Sequence, residues 1–289
     1  KLAVLCYNPN PSSEELRAIQ RFLNQGGKLI VFYSASADLA RMMGVRLGGY
    51  TRSEQPGQWS SMVFRDPDRW HVPSRVHDIA WSLIPVYPAD ARSAVIATWS
   101  DARGAVLADP ACVSTPHGVW FCHVMRGEDP PGKERMLLGL VGKYVPSVWE
   151  GAARHRVKTA GRLSGDASLS QSLQRLERGA PSGRRQAGTA ELNLARTAHR
   201  AMTEAFAAGR YPECVAQSDV LEQAVLRAYG MNQRNPRGEM RAIWDHDGVG
   251  LYPGDWSRTC RELSRAGINT IFANILWAGK AHYPSRVVP

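Results

Sequence analysis

Residues 2 to 33 read LAVLCYNPNPSSEELRAIQRFLNQGGKLIVFY. Leu2 to Tyr7 is a short apolar run that breaks at Asn8-Pro9-Asn10-Pro11, which is the pattern of a strand entering a turn. Ser12 or Ser13 then caps a helix with Glu14 and Glu15 in its first turn, and Leu16, Ile19, Phe22 and Leu23 recur at helical spacing on one face. Gly26-Gly27 stops that helix. Lys28 to Tyr33 is a second strand, apolar throughout, and Ala37 to Met43 is a short helix ended by Gly44. Strand, helix and strand in this order predict a parallel βαβ unit with a right-handed crossover, and hence an α/β fold.

Downstream, Gly49 to His77 is polar and irregular, with Trp59, Phe64 and Trp70 as isolated anchors. Short strands are predicted at Leu83 to Tyr87, Ala94 to Trp99, Ala105 to Ala108 and Gly118 to Val124, and a helix from Lys133 to about Tyr144. This places a first α/β domain over residues 1–150. Residues 151–188, rich in Arg, Ser and Gly, predict a flexible linker. Two helices, Thr189 to Ala208 and Pro212 to Tyr229, predict a helical hairpin within 189–238. One such hairpin is too little for a repeat solenoid.

In the last segment, 239–289, Met240 to Trp244 reads as a strand. Asp255 to Ala266 reads as a helix with Cys260 and Leu263 inward, and Asn269 to Leu276 as another strand. A lone βαβ unit leaves its sheet uncovered, so the remainder of this domain is expected beyond Pro289. The start at Lys1 on a strand pattern, without a methionine, likewise suggests a piece of a longer protein.

The 289 residues are 44% hydrophobic and 21% charged, which fits a globular composition and excludes collagen-like or disulfide-stapled chains. No apolar run approaches the roughly 20 residues of a membrane span. The formal charge of +10 raises the question of nucleic acid. Much of that excess, however, sits in the predicted linker: Arg154, Arg156, Lys158, Arg162, Arg175, Arg178, Arg184 and Arg185 face only Asp166 and Glu177. No nucleic-acid motif accompanies it, so no nucleic-acid partner is expected. Cys6, Cys112, Cys122, Cys214 and Cys260 have no metal-ligand spacing, and neither a metal nor another cofactor is expected. Cys112 and Cys122 flank a turn where a disulfide is conceivable, but buried free thiols are the favoured reading.

The run Arg241-Ala242-Ile243-Trp244-Asp245-His246, the turn Tyr252-Pro253-Gly254-Asp255-Trp256, the strand Gly267-Ile268-Asn269-Thr270-Ile271-Phe272-Ala273-Asn274 and the later Tyr283-Pro284-Ser285 resemble the opening of the glycosyl hydrolase-like 10 family. That resemblance covers about fifty residues and implies the first two strands of a TIM-type (β/α)8 barrel, a polysaccharide substrate, and a secreted or cell-envelope location. Peptidoglycan strands and plant-type polymers both fit. The first domain is similar to the flavodoxin-like, class I glutamine amidotransferase-like fold. Lys28 to Tyr33 with its following turn stands where that superfamily places a nucleophile elbow. The turn reads Phe32-Tyr33-Ser34-Ala35-Ser36 without the Gly-x-Cys-x-Gly pattern, which implies a degenerate elbow at Ser34 and a non-catalytic scaffold.

Barrel chemistry gathers at the C-terminal ends of the strands. Asp245, His246 and Asp247 end the first predicted strand, and Asn274 with Trp277 the second. They are the candidates for binding a sugar, against the alternative that the aspartates shape the loop and the tryptophans fill core or rim. Glycoside hydrolysis needs two carboxyl groups flanking one bond. Asp245 and Asp247 are neighbours on one strand, so the catalytic pair is expected beyond Pro289 and the chain alone is expected to be inactive. A non-enzymatic carbohydrate-binding protein with a degenerate barrel is the alternative.

Overall fold

The computed structural model describes residues 1–179, 185–232, 238–277 and 279–288. Pro289 and part of the expected linker and hairpin boundary lie outside the described residues. The chain divides into two compact units, Lys1–Val145 with Met240–Pro289, and Pro146–Glu239. The last segment therefore belongs with the first domain, where the sequence suggested a separate module.

The first unit is built on a seven-stranded mixed sheet. Strand β1 (Leu2–Leu5), helix α1 (Ser13–Asn24) and strand β2 (Lys28–Phe32) form the expected parallel unit. Helix α1 opens on a capping box: Glu15 N–H donates to Ser12 Oγ at 3.2 Å, and Ser12 N–H to Glu15 Oε2 at 2.6 Å. Its Leu16, Ile19, Phe22 and Leu23 pack on the core. Helix α2 (Ala37–Met43) follows, ended by Gly44 in the left-handed conformation. Strands β3 (Val45–Leu47) and β4 (Thr51–Arg52) lead to β5 (Trp59–Phe64), the short helix α3 (Pro67–Trp70) and β6 (Arg75–Ala80). Then come β7 (Ser82–Leu83), β8 (Val86–Pro88), β9 (Ala94–Ser100), β10 (Val106–Thr115), β11 (Gly118–Phe121) and helix α4 (Pro130–Tyr144).

The sheet order is β1-β2-β11-β10-β9-β5-β6, while β3 pairs with β8 and β4 with β7 outside it. Strands β1, β2 and β11 are mutually parallel, and the other pairings of the main sheet are antiparallel. Leu29, Ile30, Val31 and Phe32 of β2 are all buried, as an inner parallel strand covered on both faces requires. Where β11 begins beside β2, Gly118 has φ +142°, and a Cβ there would stand 1.8 Å from the Leu29 carbonyl oxygen. Only glycine fits that approach.

Strands β5 and β6 fill the stretch that reads as irregular. Ser60 and Ser61 break the apolar pattern of β5 yet are buried. Ser60 Oγ satisfies itself by donating to the Gly57 carbonyl at 2.9 Å, which removes the usual cost of burying a hydroxyl. Strand β10 runs longer than predicted, because its pairing with β9 shifts register around Pro110, whose missing N–H is absorbed at an irregularity. Cys112 and Cys122 are buried free thiols, Cys214 is buried, and Cys6 and Cys260 are exposed.

The second unit is helical. Where composition predicts a flexible linker, α5 (Val148–Thr159) and α6 (Leu169–Gly179) form. Their few apolar residues fall on inward positions, with Trp149, Ala153 and Leu176 all buried, and Arg154, Arg156 and Arg175 find carboxylates. Arg156 Nη1 donates to both Glu222 oxygens at 2.9 Å, and Arg175 stands 3.3 Å from Asp166. Few large apolar residues suffice because their spacing, rather than their number, builds the buried face. Helices α7 (Arg185–Ala207) and α8 (Tyr211–Asn232) form a hairpin around Leu192, Ala195, Ala198, Met202, Leu221, Val225 and Ala228.

In the last segment β12 (Ala242–Asp245) pairs in parallel with β13 (Thr270–Ala273), with α9 (Trp256–Arg265) between them. Strand β14 (Leu276–Trp277) is separate and pairs with β15 (Lys280–Ala281), so the expected continuous strand to Leu276 breaks at Asn274. Cys260 faces outward, and Thr259 is buried with Leu263 instead. Asp255 caps α9 by accepting from Arg258 N–H at 2.8 Å. A βαβ unit is present, and a barrel is not formed by the described residues. Among those residues no helix is long and apolar enough to cross a membrane.

Candidate functional site

A cleft of about 690 Å³ opens between the sheet and the β12–β13 segment, lined among others by Glu54, Trp81, Arg126, Glu128, Asp245 and Asp247. Trp81 stands at the short connection between β6 and β7 and is 58% exposed. Its indole carries the Arg126 guanidinium 4.2 Å from the ring centroid. Arg126 Nε is also 3.4 Å from Glu128 Oε1, so the cation is held against the wall. On the far side, the loop after β12 supplies the aspartates. Asp245 Oδ2 accepts the Gly250 N–H at 2.8 Å and thereby shapes that loop. Asp247 is exposed, with its Oδ1 3.4 Å from His246 Nδ1.

The segment is tied to the sheet around this cleft. The Arg258 guanidinium donates to the Ala102 carbonyl and packs 3.8 Å from the Tyr252 ring centroid. Gly57, at φ +76°, lies so close to Pro253 that a Cβ would meet its carbonyl at 2.7 Å.

The candidates read from the sequence separate here. Asp245 lines the cleft together with Asp247. His246 is exposed, its ring 5.6 Å from that of Trp244, and it is not among the cleft residues. Asn274 works inside the segment: its N–H donates to the Asp245 carbonyl at 2.9 Å and its Nδ2 to the His246 carbonyl at 3.1 Å. Trp277 lies in β14, and its side chain is outside the described residues. Ser34 is fully buried, and its hydroxyl donates to the Asn8 carbonyl at 2.8 Å, tying the turn after β2 to the turn after β1. A hydroxyl so engaged ties the two turns together.

The residue in the strained position is its neighbour. Tyr33 has φ +50°, a conformation that costs a bulky residue about 1–3 kcal/mol and persists only where its surroundings hold it. Its N–H donates to the Phe121 carbonyl at 3.2 Å, and its ring stacks on that of Tyr7, with centroids 6.0 Å apart and planes 10° apart. Burial first, and then the neighbouring Tyr50 and Tyr7, push the Tyr33 hydroxyl above its ordinary pKa. Beside it lies His123, 6% exposed, two residues beyond β11. The imidazole meets Tyr33, Trp81 and Trp99 nearly at right angles, with centroids at 6.3, 6.1 and 6.4 Å.

His123 Nδ1 has no hydrogen-bond partner, and Asp78 Oδ2 is 3.7 Å away. Four steps separate β11 from β6 in the sheet order, so this approach of Asp78 to His123 means that the sheet curls. Asp78 is buried, and its Oδ1 accepts from Lys133 Nζ at 2.5 Å and from Arg126 N–H at 3.1 Å. Burial pushes the Asp78 carboxyl up, but the contacts with His123, Lys133 and the Arg126 N–H together outweigh it and hold the group below its ordinary value. This network anchors the backbone of Arg126, and through it the wall of the cleft.

Of these residues, Trp81, Arg126, Glu128, Tyr33, His123 and Asp78 escape a reading of the sequence. Tyr33 and His123 carry a usable signal, since each lies within two residues of the end of an apolar strand. Asp78 and Trp81 sit in and just after β6, just beyond text that reads as loop. Among the described residues no cluster of three or more His, Cys, Asp or Glu is arranged to hold a metal ion.

No family model matches the sequence, and no curated protein matches it. Solved structures similar to it include a ThuA-like protein from Bacteroides uniformis, at 12% identity over 48% of this chain and 67% of that one, with a TM-score of 0.38. They also include a glutamine amidotransferase from Thermotoga maritima, at 13% identity over 78% of this chain and 77% of that one, with a TM-score of 0.32. At such scores the fold rests on the strand order described above.

Proposed function

We propose that this chain is part of a glycoside hydrolase-like protein and binds polysaccharide in the cleft beside Trp81, with the α/β domain as a non-catalytic scaffold. The observation that carries this reading is the exposed indole of Trp81 in one cleft with Asp245 and Asp247. A flat apolar ring beside carboxylates that accept hydroxyl protons is the combination a pyranose needs, with its apolar face on the ring and its hydroxyls at the edge. The barrel part of the proposal draws support from β12 and β13, where Trp244 and Phe272, register partners, are 70% and 54% exposed. Parallel strands are ordinarily covered on both faces, so this pair fits a sheet that extends further. The acid and the nucleophile or base are assigned to such further strands, and the chain by itself binds without cutting.

One observation favours the second reading, a carbohydrate-binding protein without hydrolytic activity: Asp245 spends an oxygen on the Gly250 N–H, as a loop-shaping residue does. Calorimetric titration with cello-oligosaccharides and with β-1,4-linked N-acetylglucosamine oligomers tests the shared claim. Binding by either series, weakened by Asp247→Ala, is the expected result, and no heat from either overturns it. Joining the native downstream strands and assaying glycan cleavage separates the two readings.

A further inference from the structure

We infer that the aromatic platform at the C-terminal ends of β1, β2 and β11 is a further saccharide subsite that continues the cleft through Trp81, so that the ligand is an extended glycan rather than a mono- or disaccharide. The inference rests on the saccharide reading of the cleft. In open α/β sheets ligands gather outside the carboxyl ends of the parallel strands, and this is where Tyr7, Tyr33 and His123 lie. Trp81 belongs to both places: it lines the cleft and also packs 6.1 Å from the His123 ring. From the buried His123 the packed rings continue to Tyr33 at 6.3 Å and from Tyr33 to Tyr7 at 6.0 Å, which joins the exposed Trp81 to the exposed Tyr7.

The chemistry of the platform selects its guest. Tyr7 is 63% exposed and Tyr50 56%, so with Trp81 the protein leaves large flat rings in solvent close together, which is uncommon without a use. Tyr33 is held at a positive φ within this row, stacked on Tyr7. His123 is nine-tenths buried beneath these rings, with its Nδ1 3.7 Å from Asp78 Oδ2. The cations nearby lie on rings, Arg126 over Trp81 and Arg52 over Tyr50. Flat faces and hydroxyl edges suit a guest with apolar faces and hydroxyl rims. A saccharide meets that description.

The test compares short and long ligands on the whole chain: cellobiose with cellohexaose, and the N-acetylglucosamine dimer with the hexamer, titrated against wild type, Tyr7→Ala, Tyr7→Phe and Asp247→Asn. Tyr7 is exposed, so its loss leaves the fold intact, which circular dichroism checks. The platform predicts that Tyr7→Ala weakens hexamer binding by about fivefold, the contact of one ring, and leaves the dimer unchanged. Tyr7→Phe keeps the stacking face and retains wild-type hexamer affinity. If Asp247→Asn weakens both lengths while Tyr7→Ala changes neither, the platform is refuted and the cleft stands. If Tyr7→Ala weakens the hexamer and Asp247→Asn has no effect, the platform stands and the cleft reading falls. Absence of binding at both lengths overturns both.

Discussion

Replacing Asp78 with alanine removes the acceptor around which the cleft wall is organised. Asp78 is 1% exposed and Lys133 6%, and their 2.5 Å contact is a buried ion pair. In the variant the Lys133 ammonium keeps the Arg126 carbonyl at 3.0 Å and Glu128 Oε2 at 3.5 Å, which compensates in part. Breaking a buried pair from one side costs about 3–5 kcal/mol, and the remaining partners place this case near the lower end, about 3 kcal/mol. For a unit of this size that is a fall in Tm of about 6–12 °C. Tryptophan fluorescence reads it out selectively, because of the nine tryptophans only Trp149 lies in the helical unit.

Removing both charges with Asp78→Leu and Lys133→Met costs less than Asp78→Ala alone, since no ion is then left stranded. The folded-state pKa of Asp78 is depressed, so its contribution is complete above the ordinary carboxylate range and is lost as pH falls below that range through the folded value. The gap between wild type and Asp78→Ala therefore narrows in acid. A cost under about 1 kcal/mol, or a gap that widens on acidification, refutes the reasoning.

Gly118→Ala drives a Cβ into the Leu29 carbonyl and is expected to cost well over about 1 kcal/mol, seen as loss of soluble protein or a large fall in Tm. Thiol titration of the native chain is expected to give two fast groups, the exposed Cys6 and Cys260, with Cys112, Cys122 and Cys214 reacting only on unfolding. Burial pushes the Cys122 thiol up to about 12, which withholds the thiolate that reacts. Ser34→Ala loses the bond to the Asn8 carbonyl and is expected to cost about 1 kcal/mol of stability while leaving saccharide affinity unchanged. A loss of affinity there without a loss of stability would overturn the structural reading of Ser34.

How far the sequence could be read depended on whether an element announces itself locally. The β1-α1-β2 unit is legible because caps, spacing and glycines all agree over one short stretch. Strands β5 and β6 are not, since Ser60 and Ser61 look like loop until the Gly57 carbonyl that receives Ser60 is in place. The helices α5 and α6 are hidden by their arginines, among them Arg156, whose partner Glu222 is far away in the chain. The site behaves in the same way. Asp245 is legible from its strand end. Trp81, Arg126, His123 and Asp78 come together only because the sheet curls, a property of the assembled sheet that no window of sequence carries.

The most direct test of the account is the affinity of wild type and Trp81→Ala for cellohexaose and the N-acetylglucosamine hexamer by titration calorimetry. Trp81 joins the cleft to the platform, so its loss is predicted to reduce affinity for at least one hexamer by about tenfold or more, as removal of a central aromatic anchor does. Unchanged affinity in a Trp81→Ala protein that remains folded would contradict it.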